Sequence, residues 1–244
     1  MILSSNQMKG EKSMLPTVPL EYKRSRDYKM LLILKYFRKG MSISSRQITQ
    51  EMQYSVNHLY TLENARAVIS ETALKKYASL IAKNLEFDEE NFYNEIQKEA
   101  ESIQDETSQI SIIMAISRVI CANILYDAGK ETQQTEGDTY YNATLILSCF
   151  RRMLKITARQ VTGTIGGTDI STMELRMRNP SIEFVRKYAN YIAEKMQYNN
   201  QEYFREKLRE EASIIRNTNM DSYANALISL GKIVSEMRKP LLKS

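Results

Sequence analysis

The chain has 244 residues, room for one large domain or two of roughly 100–120 residues, each able to bury a core. With 43% hydrophobic and 26% charged residues it has the composition of a soluble globular protein, and no apolar run approaches the ~20 residues of a membrane span. A net charge of +5 and a pI near 9.0 favour an anionic partner. One histidine, His58, and two cysteines, Cys121 and Cys149, with no CxxC or HExxH, argue against a multi-histidine metal site or a histidine-dependent triad.

Residues 1–20 carry Pro16 and Pro19 with little periodicity, which predicts a flexible arm; MILSSNQMKGEKS lacks the apolar core of a signal peptide, so a cytoplasmic location is expected. Lys23-Arg24-Ser25-Arg26 reads as a flexible basic tail, with a groove-entering arm as the alternative. Leu31, Leu34 and Phe37 then mark one face of a helix ending near 38–40. Ser44 suits the N-cap of a short helix, Ser45–Met52; Gln53-Tyr54 makes a turn, and Ser55 caps a second short helix reaching Glu63. Leu74, Tyr77, Ala78, Ile81 and Leu85 mark the next helix, and 110–127 a further one. Strand-like alternation is hard to find anywhere, so the fold class is all-α.

The polar, glycine-bounded GKETQQTEG at 129–137 reads as a linker, after which the pattern returns. Phe37-Arg38-Lys39-Gly40-Met41-Ser42-Ile43-Ser44-Ser45-Arg46-Gln47-Ile48-Thr49 matches 150–162 at a register of 113 with six identities in thirteen. Lys76-Tyr77-Ala78 matches Lys187-Tyr188-Ala189 at a register of 111, and 87–99 matches 198–210, pairing the aromatics 92/93 with 203/204. Thr157 then caps Ala158–Ile165, Gly166-Gly167 is the turn, and Thr168 caps a helix reaching Glu174; the terminal helix Ser222–Arg238 mirrors 110–127. The chain therefore reads as an internal duplication: arm 1–20, first unit 21–128, linker 129–137, second unit 138–244.

Two short helices joined by a tight turn are the helix-turn-helix pattern. The string Ser44-Ser45-x-x-Ile48-Thr49-x-x-Met52-Gln53-Tyr54-Ser55…Leu59…Glu63-Asn64-Ala65-Arg66 resembles the Cro/Xre phage-repressor family, and Arg178-Asn179-Pro180-Ser181 is similar to the start of that family's fourth helix. The resemblance covers roughly 30–100 and 143–212. It departs at Ser45 and Ala158, where the family has a phosphate-contacting glutamine (Gln47 and Gln160 lie two positions later), and at Met153, which stands where the first unit has Gly40.

What the resemblance implies is a second helix in the major groove of double-stranded DNA, with base contacts from Ser55, Asn57, His58 and Thr61 in the first unit and Thr168, Asp169, Ser171 and Thr172 in the second. Lys39, Arg46, Gln47, Arg66, Arg152, Arg159, Gln160, Arg176 and Arg178 would hold phosphates. Two linked, non-identical units would act as an intramolecular pseudo-dimer on an imperfect inverted repeat, as a transcriptional repressor of a mobile genetic element; further self-association stays open. The alternatives are a plasmid replication or transfer-origin binder, and a helical adaptor or peptide-sensing module without DNA binding. No enzyme chemistry, cofactor or metal is expected: Gly163-x-x-Gly166-Gly167 lacks the lysine of a phosphate-cradling loop.

Overall fold

The computed structural model of the chain describes residues 20–126, 139–166, 170–175, 177–215 and 222–238. Helix is the only regular element among the described residues. The expected arm (Leu20 excepted) and the linker 129–137 lie outside them. In chain order the first half holds α1 (Leu20–Arg24), α2 (Arg26–Gly40), α3 (Ser45–Met52), α4 (Val56–Glu63), α5 (Glu71–Leu85), α6 (Glu89–Ser102) and α7 (Gln109–Tyr126). The second holds α8 (Thr139–Met153), α9 (Ala158–Ile165), α10 (Ile170–Glu174), α11 (Ile182–Lys195), α12 (Gln201–Ile214) and α13 (Ser222–Arg238). From α2 to α7 and from α8 to α13, a long helix, two short ones and three long ones follow in the same order.

The helix starts lie where hydroxyl or carboxylate caps precede apolar periodicity. Ser25, Ser44, Ser55, Ser70 and Asp88 open α2 to α6, and Thr157, Ser181 and Asn200 open α9, α11 and α12, each accepting the N–H three residues on. The basic stretch Lys23-Arg24-Ser25-Arg26 is not a tail. Lys23 and Arg24 close α1, Ser25 Oγ accepts the Tyr28 N–H at 3.2 Å, and the Tyr22 hydroxyl accepts the Ile69 N–H at 3.0 Å. A serine cap and one anchored ring order what its charge alone made look mobile.

Helices α2 and α8 are buried nearly all round along their central turns, as a helix surrounded by others is. Every residue from Met30 to Arg38, and from Tyr141 to Phe150, is buried. Helix α2 packs on α5, α6 and α7 of its own half, and α8 on α11, α12 and α13. The halves meet through matching helices, α2 on α8 and α7 on α13, as the two sides of an isologous interface do. One contiguous core therefore runs through both halves.

Small residues permit the close crossings. A β-carbon on Gly231 would lie 2.8 Å from Ile120, and Ser117 Oγ donates to the Gly231 carbonyl at 2.6 Å. One on Gly40 would lie 3.2 Å from Met153 Sδ and 2.9 Å from Leu227 Cδ1. The methionine that replaces glycine in the second half thus fills the space that Gly40 leaves open. Matching side chains also close matching helix ends: Lys29 Nζ donates to the Ile103 carbonyl at 2.6 Å, and Asn142 Nδ2 to those of Ala212 and Ile215 at 2.9 and 3.2 Å.

In one segment the observed correspondence differs from the expected register. Phe92 meets Phe37 edge-on at 5.3 Å, and Phe204 meets Phe150 edge-on at 5.8 Å, so Phe92 corresponds to Phe204 rather than Tyr203. Glu86 and Gln197 both adopt left-handed backbone at φ 57°, whereas the next caps are Asp88 and Asn200. The second half carries one extra residue in that turn. The register therefore shifts from 111 to 112 through α12.

Candidate nucleic-acid interface

At α3 the cap is reciprocal. Ser44 Oγ accepts the Gln47 N–H at 3.2 Å, and Gln47 Oε1 accepts the Ser44 N–H at 2.8 Å. Thr157 and Gln160 repeat it at α9, at 3.2 and 2.7 Å. Gln47 and Gln160, expected on phosphate, thus hold helix starts through their carbonyl oxygens. Gln53 ends α3 in left-handed backbone at φ 58°, and Gly166 ends α9 at φ 72°, where a residue without a β-carbon is unstrained. Ser55 then opens α4, accepting the His58 N–H at 3.1 Å.

Helix α4 buries Leu59, Leu62 and Glu63 and turns Val56, Asn57, His58 and Tyr60 to solvent. The His58 ring stands edge-on to Tyr54, with centroids 4.7 Å apart. Thr61 is half-buried, and its hydroxyl donates to the Asn57 carbonyl at 2.7 Å. In the second half α10 is shorter, burying Ile170, Met173 and Glu174 with Ser171 and Thr172 half-buried. Thr168, Asp169 and Arg176 lie outside the described residues.

A buried ionic node fixes the end of each short helix. Arg38 donates from Nε to Glu63 Oε1 at 2.9 Å, from Nη2 to Glu63 Oε2 at 2.7 Å and from Nη1 to the Ile43 carbonyl at 3.1 Å. The Tyr77 hydroxyl donates to Glu63 Oε1 at 3.0 Å. One guanidinium thereby ties α2, the turn before α3 and the end of α4, with α5 joining through Tyr77. Arg151 repeats the node with Glu174 at 2.9 and 2.6 Å and the Ile156 carbonyl at 3.0 Å, and the Tyr188 hydroxyl reaches Glu174 at 3.3 Å. Side-chain exposure is 9% and 5% for Arg38 and Glu63, and 12% and 5% for Arg151 and Glu174. Burial opposes the Arg38 charge, but Tyr77 and Glu63 more than restore it; burial and the adjacent glutamates push the Tyr77 and Tyr188 hydroxyls well above the usual phenol range.

The remaining cations divide by environment. Arg46, Arg66, Arg159 and Arg178 are exposed beside the short helices, and the Arg66 guanidinium lies 5.5 Å over the Tyr60 ring. Lys39 is half-buried, and burial, then the Arg38 charge, lowers its pKa. Arg152 turns inward: it donates to the Tyr223 hydroxyl at 2.9 Å, lies 4.5 Å over that ring and approaches Glu174 at 3.5 Å. Its charge serves the α8–α13 contact.

Sequence reading missed Lys35 and Lys155. Lys35, hidden in the apolar run of α2, donates to the Glu63 carbonyl at 2.7 Å, and burial lowers it to about 8. Lys155 reaches across the junction, 5.6 Å over Tyr36. Apolar side chains are also exposed here: Tyr60 at 55%, and Leu175 and Met177 after α10 at 66% and 75%. Comparison with protein-family models, curated proteins and solved structures returns no match to this chain.

Proposed function

We propose that the chain is a sequence-specific double-stranded DNA-binding transcription regulator, a repressor, that uses its two halves as an intramolecular pseudo-dimer descended from a duplicated Cro/Xre-like unit. The observation that carries this reading is the recurrence of one node, Arg38–Glu63–Tyr77 and Arg151–Glu174–Tyr188, beneath two short helices at the protein surface. Sites that read base edges require rigid, pre-placed side chains, and a buried bidentate pair at the base of the helix supplies that rigidity. Asn57 and His58, exposed on the first turn of α4, are the leading base readers. Arg46, Arg66, Arg159 and Arg178 are the leading phosphate contacts, with Lys39 behind them.

Fluorescence anisotropy against fragments selected from random DNA tests this reading. With about four to six phosphate contacts, log K falls against log salt with a slope of about −4 to −5, and affinity drops several hundredfold from 50 to 200 mM salt. Absence of binding to any selected pool at 50 mM salt refutes it. The exposure of Leu175 and Met177 favours a second reading, in which the second half docks a protein and only the first reads DNA. An Asp substitution at Met177 that leaves DNA affinity and site choice unchanged supports that division.

A further inference from the structure

A groove of about 130 Å³ opens between α8, α11 and α12, away from α9 and α10. Val185, Ala189 and Leu208 form its apolar lining, and Arg186, Arg205 and Arg209 supply its charge. Tyr140 and Ile182 flank it at 44% and 63% exposure.

At the matching place of the first half the cation is paired. Lys75 pairs with Glu71 at 2.9 Å and lies 5.6 Å over the Tyr93 ring. At the corresponding positions of the second half, Ile182 replaces Glu71, Arg205 replaces Tyr93 and Arg209 replaces Gln97. The first half balances Arg26 and Lys75 with Asp27 and Glu71; the second lines the groove with three arginines and no carboxylate. Glu183 offsets Arg186 from the solvent side at 2.8 Å, and Arg205 is oriented by donating to Asn190 Oδ1 at 2.5 Å. Arg205 and Arg209 therefore leave an uncompensated positive rim above an apolar floor.

Size and charge together select the ligand. A cavity of ~150 Å³ lined by apolar side chains accommodates one benzene ring, so a groove of about 130 Å³ open to solvent has room for a single ring. Guanidinium forks favour a planar carboxylate. We propose that the groove is a binding site for a small aromatic monocarboxylate, its ring against the exposed side chains of Tyr140 and Ile182 above Val185, and its carboxylate on Arg205 and Arg209.

Titration of the ¹⁵N-labelled full chain with phenylacetate, in the absence of DNA, tests this independently of the function proposed above. Expected are saturable shifts centred on α11 and α12 with a Kd on the order of 1 mM. Phenylacetamide, which keeps the ring, and acetate, which keeps the charge, should each bind about tenfold more weakly. Arg209→Gln, on an exposed side chain, should weaken phenylacetate about tenfold without moving the thermal midpoint. Ile182→Asp, on an exposed wall of the groove, should abolish the shifts without moving the thermal midpoint. No saturation, equal binding of phenylacetamide, or an unaffected Arg209→Gln variant overturns the proposal.

Discussion

Replacing Arg38 with methionine strips the cation from a carboxylate that solvent scarcely reaches. Glu63 has 5% of its side chain exposed, and Arg38 supplies two of its hydrogen bonds while also tying down the Ile43 carbonyl. Removing one partner of such a pair leaves a buried, uncompensated charge and costs about 3–5 kcal/mol. For a protein of this length each kcal/mol moves the thermal midpoint by about 2–4 °C, so a fall of roughly 6–20 °C is expected. Removing both partners, Arg38→Met with Glu63→Met, removes the orphaned charge as well, and should recover more than half of the loss. Urea unfolding followed by circular dichroism measures Arg38→Met, Glu63→Met and the double variant, with Arg46→Met as an exposed control expected within about 0.5 kcal/mol of the parent. A cost below about 1 kcal/mol for Arg38→Met, or a double variant as weak as the sum of the singles, refutes the claim that this node holds α4 in place.

Stability should rise with pH through the range in which Lys35 discharges. A base held at about 8 when folded and 10.5 when unfolded penalises the fold below pH 8, and that penalty disappears as pH approaches 10.5; Lys39 acts in the same direction. Tyr77 and Tyr188, raised well above 10 by burial, act oppositely, since ionisation of the unfolded phenols withdraws stability above pH 10. Burial pushes the Cys149 thiol up from 9.0 to about 12, which withdraws stability above pH 9 as well; urea midpoints should therefore peak near about pH 9, and a steady decline from pH 7 would contradict the placement of Lys35. Gly231→Ala should destabilise by about 1–3 kcal/mol despite the better helix propensity of alanine, because its β-carbon meets Ile120 at 2.8 Å; a gain in the urea midpoint contradicts the α7–α13 crossing. Asn57→Ala should weaken a selected DNA site by about 1–3 kcal/mol and leave non-specific binding unchanged, measured by anisotropy with specific and scrambled duplexes; an equal loss on both removes Asn57 from base reading.

Sequence showed the fold where local chemistry decides it. Ser44, Ser55 and Thr157 name helix starts because a hydroxyl cap acts within three residues, and the bounds Ser45–Met52 and Ala158–Ile165 follow from those caps. Where long-range partners decide, sequence was silent. The Arg38/Arg151 identity lay within the aligned block, but only packing shows that these two arginines bind inward while Arg46 and Arg159 remain exposed. Arg152 looks like a surface cation until Tyr223, 71 residues away, comes beneath it. The basic stretch 23–26 misled because one capping serine and one distant hydrogen bond, Tyr22 to Ile69, outweigh its charge. The aromatic pairs 92/93 and 203/204 misled because an alignment scores both members alike, whereas the core accepts only Phe92 and Phe204.

Hydroxyl-radical footprinting of the purified chain, at one molecule per duplex on its selected site, addresses most directly whether a single polypeptide reads DNA with both halves. Two protected patches on one face of the duplex, about one helical turn (~34 Å) apart and unequal in sequence, are the predicted result. Protection of a single patch, or protection that appears only with two chains per duplex, contradicts the pseudo-dimer.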